Sequence, residues 1–159
     1  DMLSTTGWVG KSLRDASSII LITGAGGIFG KVLQNSGIAS VIGVTLANVH
    51  LSIWLPFILA AAIKTAQGSS TVALITTASI MMPMMSTLGF VGEMEKAMVV
   101  IAIGAGSAVF SHANDSFFWV VTQLSGMDVK TGYRLFSLGT FILGTSAEVI
   151  LFIFYLIVI

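Results

Sequence analysis

Residues 103–119 read IGAGSAVFSHANDSFFW, apolar at both ends and polar from Ser111 to Ser116. In lipid a helix satisfies its own N–H and C=O groups. Where it breaks, each freed group costs several kcal/mol unless protein, water or a ligand takes it up. A break of this kind belongs where the backbone faces a cavity, and it constrains every architecture open to the rest of the chain.

The constraint holds only in a membrane, and composition supplies that condition. The chain is 55% hydrophobic and 9% charged, with a mean hydropathy of +1.00. Soluble domains carry about 25% charged residues, so these charges are too few to cover a globule and the outer surface faces lipid. Net charge is zero, and the basic residues are scattered rather than gathered into the stripe that nucleic acid requires. There is no cysteine, which excludes disulfides and thiolate metal sites. The two histidines lack ligand spacing, so no metal is expected. No cofactor is expected either. The glycine-rich TGAGGIFG of residues 23–30 has no strand–helix–strand unit around it to make a dinucleotide site. Gly26 and Gly30 instead fit small-xxx-small helix packing or a second helix interruption. No cleavable signal is visible. A start at Asp1 and an apolar end, LFIFYLIVI, suggest the C-terminal piece of a longer protein, with residues 1–159 as one membrane domain.

A hydrocarbon core of about 30 Å needs roughly 20 helical residues. Residues 1–15 are expected as a loop or surface segment, and 16–30 as a first apolar run interrupted at 23–27. Residues 31–36 are polar, and 37–49 form a weaker apolar segment suited to the interface. Residues 51–66 and 69–85 are two apolar arms joined by QGSS, with Pro56 in the first and Pro83 in the second. Each is short for a span, which predicts a re-entrant hairpin; two short spanning helices with a surface turn are the alternative. Lys64 bears on the choice, because it snorkels near a surface turn and needs a partner near a buried tip. Residues 86–96 form a polar link, 97–126 a broken helix, 127–134 a short loop, and 135–159 a crossing helix that contains Glu148. The expected fold is an all-α integral membrane protein, a polytopic helical bundle with a re-entrant hairpin and a discontinuous helix. The positive-inside rule places Lys11, Arg14, Lys130 and Arg134 in the cytoplasm, against Lys31 and Lys96 outside.

The break offers chemistry. A half-helix starting near Asp115 presents free N–H groups and a positive dipole end, an anion site of the kind secondary transporters build from discontinuous helices. Asn114 or Asp115 equally suits a plain N-cap. His112 changes charge near neutral pH, and an ionisable group within a span is a functional candidate, as is Asp115. Glu148 should face protein, as a packing partner or a proton relay, and His50 carries no assigned role. At the hairpin tip, Gln67, Gly68, Ser69, Ser70 and Thr71 supply an amide, hydroxyls and exposed backbone suited to a polyhydroxylated ligand, or simply form a turn. Ser107, His112 and Asp115 have the residue types of a hydrolase triad. An intramembrane serine hydrolase or protease is therefore one alternative, and a non-transporting membrane subunit another.

Four stretches, ILITGAGGIFGKVLQNSGI, LPFILAAAIKTAQGSSTVALITTASIMMP, GSAVFSHANDSFFWVVTQLSGM and DVKTGYRLFSLGT, cover most of the chain. In this order they resemble the gluconate/proton symporter family of bacterial transporters. The resemblance implies proton-coupled uptake of a sugar acid or hydroxy acid across the cytoplasmic membrane. It also implies a much longer chain of two inverted repeats whose N-terminal half is missing here, with paired hairpins and a homodimer. The substrate set would be Gln67, Gly68, Ser69, Ser70, Thr71, Ser111, Asn114, Asp115 and Ser116, the carboxylate meeting the half-helix end at residues 115–118. The proton-coupling set would be His112, Asp115 and Glu148. Gluconate, idonate, glycerate-like acids and D-serine all suit such tips.

Overall fold

A computed structural model describes residues 7–36 and 51–158, and those residues are helical with short connections and no strand among them. The expected interfacial segment 37–49 and His50 lie outside the described residues.

Helix α1, Trp8–Asn35, runs unbroken for 28 residues. This corrects two expectations: most of the N-terminal segment is helix rather than loop, and TGAGG does not interrupt it. Glycine costs only about 1 kcal/mol against alanine in a helix, and without proline the hydrogen-bond ladder passes through. At Gly24 a Cβ would meet nothing within 4 Å, so no close contact explains that glycine.

Helices α2, Trp54–Gln67, and α3, Ser70–Met81, form the hairpin, and a 3-10 turn at Met82–Met84 closes α3. Pro56 falls in the first turn of α2, where its missing N–H costs nothing. Gly68 ends α2 in the left-handed conformation (φ 86°), and Ser69 caps α3 by accepting from Val72 N–H at 3.3 Å. At 1.5 Å per residue, helices of 14 and 12 residues reach about 21 and 18 Å. The second arm packs on α1.

Helix α4, Glu93–Ala108, is tied at its start by the Glu95 carboxylate, which accepts from Val91 and Gly92 N–H at 2.7 and 2.6 Å. It is flanked by α2 on one side and by α7, Leu138–Val158, on the other. Two glycines permit this closeness. A Cβ on Gly106 would lie 2.2 Å from the Phe57 carbonyl oxygen, and one on Gly144 would lie 2.7 Å from that of Ala105. Phe57, Ala60, Met98, Ala102, Ile103, Val109 and Leu151 fill the core between them. The helix that leads into the break is thereby packed closely against both neighbours.

Helix α5, Ser116–Leu124, resumes after the break. The expected loop at 127–134 is largely helix: α6, Val129–Gly132, continues through a π turn, Tyr133–Ser137, into α7. Asp128 starts it by accepting from Thr131 N–H at 2.9 Å, and this cap, with the packing of Gly132 against Thr122 and Phe118, overrides the polar pattern that suggested a loop. Among the described residues, only Val129–Val158 is long and apolar enough to cross a membrane.

Candidate functional site

The hairpin tip and the helix break touch. A Cβ on Gly68 would lie 2.3 Å from the Asn114 carbonyl oxygen, a spacing that only glycine at a positive φ allows. Asn114 Nδ2 donates to the Thr65 carbonyl at 2.8 Å, and His112 Nε2 lies 3.1 Å from the same oxygen.

Much of the break is tied down by side chains from its neighbours. Val109 is extended, and Phe110 is left-handed (φ 53°). Ser111 N–H donates to Thr140 Oγ1 at 3.2 Å, and the Ser111 carbonyl accepts from Ser137 Oγ at 2.5 Å. Ala113 N–H donates to Tyr133 Oη at 3.3 Å, and its carbonyl accepts from Trp119 Nε1 at 2.8 Å. Four backbone groups freed by the break thus go to side chains of α5, the π turn and α7, the kind of compensation a low-dielectric setting demands.

At the centre is a buried ion pair. Lys64, in the last turn of α2 and 1% exposed, donates to Asp115 Oδ2 at 2.6 Å and to the Gly68 carbonyl at 2.7 Å. Ser111 Oγ donates to the same carboxylate oxygen, and Phe117 N–H donates to Asp115 Oδ1 at 2.9 Å. Desolvating each ion costs several kcal/mol, and only good geometry with further hydrogen bonds offsets it. Lys64, Ser70, Ser111, Asp115, Phe117 and Thr140 help line a cavity of about 170 Å³. A larger hollow of about 520 Å³, walled by residues such as Phe57, Ile58, Phe110 and Phe141, has no charged residue in its lining.

The structure therefore gathers Gly68, Ser70, Ser111, His112, Asn114 and Asp115 around one junction. Others of the expected set do not face the cavity. The Gln67 amide turns back to the Ser69 carbonyl at 2.7 Å, and the Ser69 hydroxyl caps α3. Thr71 and Ser116 are exposed and do not line the cavity. Glu148 is fully buried on α7, eight residues beyond Thr140. The N-cap reading of Asp115 is met: its own side chain occupies the Phe117 N–H, so that group is not free for an anion. Ser107 Oγ donates to the Gly104 carbonyl, and the acceptor of His112 is the Thr65 carbonyl, so Ser107, His112 and Asp115 make no relay. Sequence reasoning missed the partnership of Lys64 with Asp115. The signal was present as one cation in an apolar arm and one anion in the polar break, but 51 residues separate them.

The sequence pattern of the GntP family permeases matches residues 1–157. The chain is 36% identical over 142 residues to the low-affinity gluconate transporter of Escherichia coli K12, covering 89% of this chain and 32% of that protein. It is 38% identical over 151 residues to the inner membrane permease YgbN of the same strain, covering 92% and 32%. It is 33% identical over 132 residues to the D-serine transporter DsdX of Escherichia coli O6:H1, covering 82% and 29%. The chain thus spans about a third of the length of these curated relatives. No solved structure matches.

Proposed function

Because this chain belongs to the GntP family of permeases, we propose that it is the C-terminal part of a secondary transporter that carries a sugar acid or related hydroxy acid inward together with protons. Permeases are not enzymes, and the hydrolase alternative ends there. The observation that carries the reading is the meeting of two non-helical stretches, the tip after Gln67 and the break after Ala108, around a small cavity with a charged pair in its wall. Transporters place substrate between such interrupted helices near the bilayer midplane.

On this reading α2 and α3 form a re-entrant hairpin, since about 21 and 18 Å fall short of a hydrocarbon core of about 30 Å. The loop before α6, with Lys130 and Arg134 nearby, faces the cytoplasm of a multi-pass inner-membrane protein. Ser70, Ser111 and Thr140 meet the substrate's hydroxyls, and His112, Asp115 and Glu148 are the groups from which the proton carrier is drawn. An inverted N-terminal repeat supplies the other wall of the site, and the whole assembles as a homodimer. Relatives named for gluconate and for D-serine support an acid that also bears hydroxyl groups.

The test is uptake of labelled gluconate into proteoliposomes holding the complete gene product, in competition with a panel of hydroxy acids and with uncharged polyols of matching length. Competition by acids and not by polyols is expected. A protein that takes up no acid at a tenfold inward proton gradient is not this transporter.

A further inference from the structure

Asp115 accepts from Lys64 Nζ, Ser111 Oγ and Phe117 N–H, and three donors aimed at its two oxygens hold it as a carboxylate. The Lys64 ammonium has three N–H donors, and among the described residues two have acceptors, the Asp115 carboxylate and the Gly68 carbonyl. Both charged groups line the cavity of about 170 Å³ that Ser70, Ser111 and Thr140 also line. We infer that Lys64 receives the carboxylate of the transported acid, that Asp115 stands in for that carboxylate in the empty site, and that Asp115 takes up the co-transported proton when the acid arrives. This assignment rests on the transport function proposed above and names the groups that execute it.

Charge balance in a buried site drives the exchange. Empty, the site holds one ammonium and one carboxylate and is neutral. A monoanionic acid entering alone would leave two carboxylates on one ammonium, an uncompensated buried charge that the interior disfavours strongly. One proton on Asp115 restores neutrality: Lys64 ammonium, substrate carboxylate, Asp115 carboxylic acid. The protonated Asp115 is then a donor, and the Ser111 hydroxyl, which now donates to it, rotates to accept. On the other side the acid and the proton leave together and Asp115 returns to Lys64. Each cycle moves one monoanion and one proton and no net charge.

No other described titratable group is placed to do this. Helices α3 and α5 carry none. His112 is turned to the Thr65 carbonyl, and Tyr133 Oη is engaged by Ala113 N–H. Arg134 is exposed, and the charges of α4 sit in its first turn, at the far end from the break. Glu148 is eight residues beyond Thr140, about 12 Å along the helix axis.

The test uses the complete gene product in proteoliposomes, with labelled gluconate followed both as exchange without a gradient and as accumulation driven by a pH gradient. In the wild type, accumulation is expected to respond to the pH gradient and to stay the same when the membrane potential is clamped or set with potassium and valinomycin. Asp115→Asn is expected to lose accumulation at least tenfold more than it loses exchange. Lys64→Gln is expected to raise the exchange KM at least tenfold. The double variant Lys64→Gln/Asp115→Asn, which leaves no unpaired charge, is expected to be monodisperse in detergent and still fail to exchange. A double variant exchanging with wild-type KM would make the pair purely structural and overturn the assignment. So would wild-type uptake driven by membrane potential, or proton-driven accumulation retained in Asp115→Asn. A wild type that takes up no acid at all would instead remove the transport function itself, and the assignment with it.

Discussion

Two buried carboxylates in this chain live in opposite circumstances. Asp115, at the break, has both oxygens occupied, by Lys64, Ser111 and the Phe117 N–H. Glu148, in the middle of α7, is fully buried, and among the described residues neither of its oxygens has a hydrogen-bond partner. The first is a finished arrangement made wholly from residues of this chain, and removing any member leaves the others stranded. The second is a polar group whose local surroundings give it nothing to lose. Burial alone therefore says little about a charged side chain in such a protein; the saturation of its hydrogen bonds decides what a mutation will do.

The largest test of that contrast is Lys64→Met. It leaves Asp115 buried without its cation and should destabilise the protein by about 3–5 kcal/mol, read as a fall in the melting temperature of the detergent-solubilised protein. Adding Asp115→Leu to the same protein should recover most of the loss. If it does not, the pair is not the unit described here.

Gly68→Ala comes next. It forces a side chain onto a left-handed backbone and into the Asn114 carbonyl, and should cost about 1–3 kcal/mol along with most of the uptake. Retained uptake at normal stability would mean the tip and the break need not touch. Glu148→Leu should be nearly neutral, within about 1 kcal/mol or stabilising, since replacing an unpartnered polar group with an apolar one strands nothing. A loss as large as that of Lys64→Met would break the comparison by revealing a partner for Glu148.

The smallest effect is expected at the surface. Asp128 is held below the usual carboxylate value of 3.8 by hydrogen bonds from the Thr131 side chain and backbone. A depressed folded-state value means a contribution present above 3.8 and lost as the pH falls through that lower value. The melting-temperature gap between the wild type and Asp128→Ala should thus be small at neutral pH and narrow further below pH 3.8, with Asp128→Asn close to wild type.

The sequence shows the elements of the site better than their pairing. The arms on either side of QGSS and the interruption before Phe117 were legible because both are polar insertions in apolar runs, and the helices fall within a few residues of the expected limits. Lys64 was legible as a cation that needs a partner if the tip is buried. Asp115 could not be named as that partner, because a contact across 51 residues leaves no periodic trace. The expected interruption at TGAGG failed for a different reason. Glycines weaken a helix without ending it, whereas at Gly68 the chain needed a positive φ and a backbone within touching distance. The loop expected at 127–134 failed because the Asp128 cap and the π turn absorb polar residues into a continuous helix.

That π turn has a mechanical consequence. Its wider winding fixes the angular phase between α6, where Gly132 is wedged against Thr122 and Phe118, and α7, whose Thr140 grips Ser111. Removing a single residue there would swing everything downstream by about 100°, carrying Thr140, Gly144 and Glu148 off their present azimuth together. A rotation of α7 about its own axis is thus geared to the backbone of Ser111, and through Ser111 to the Lys64–Asp115 clasp.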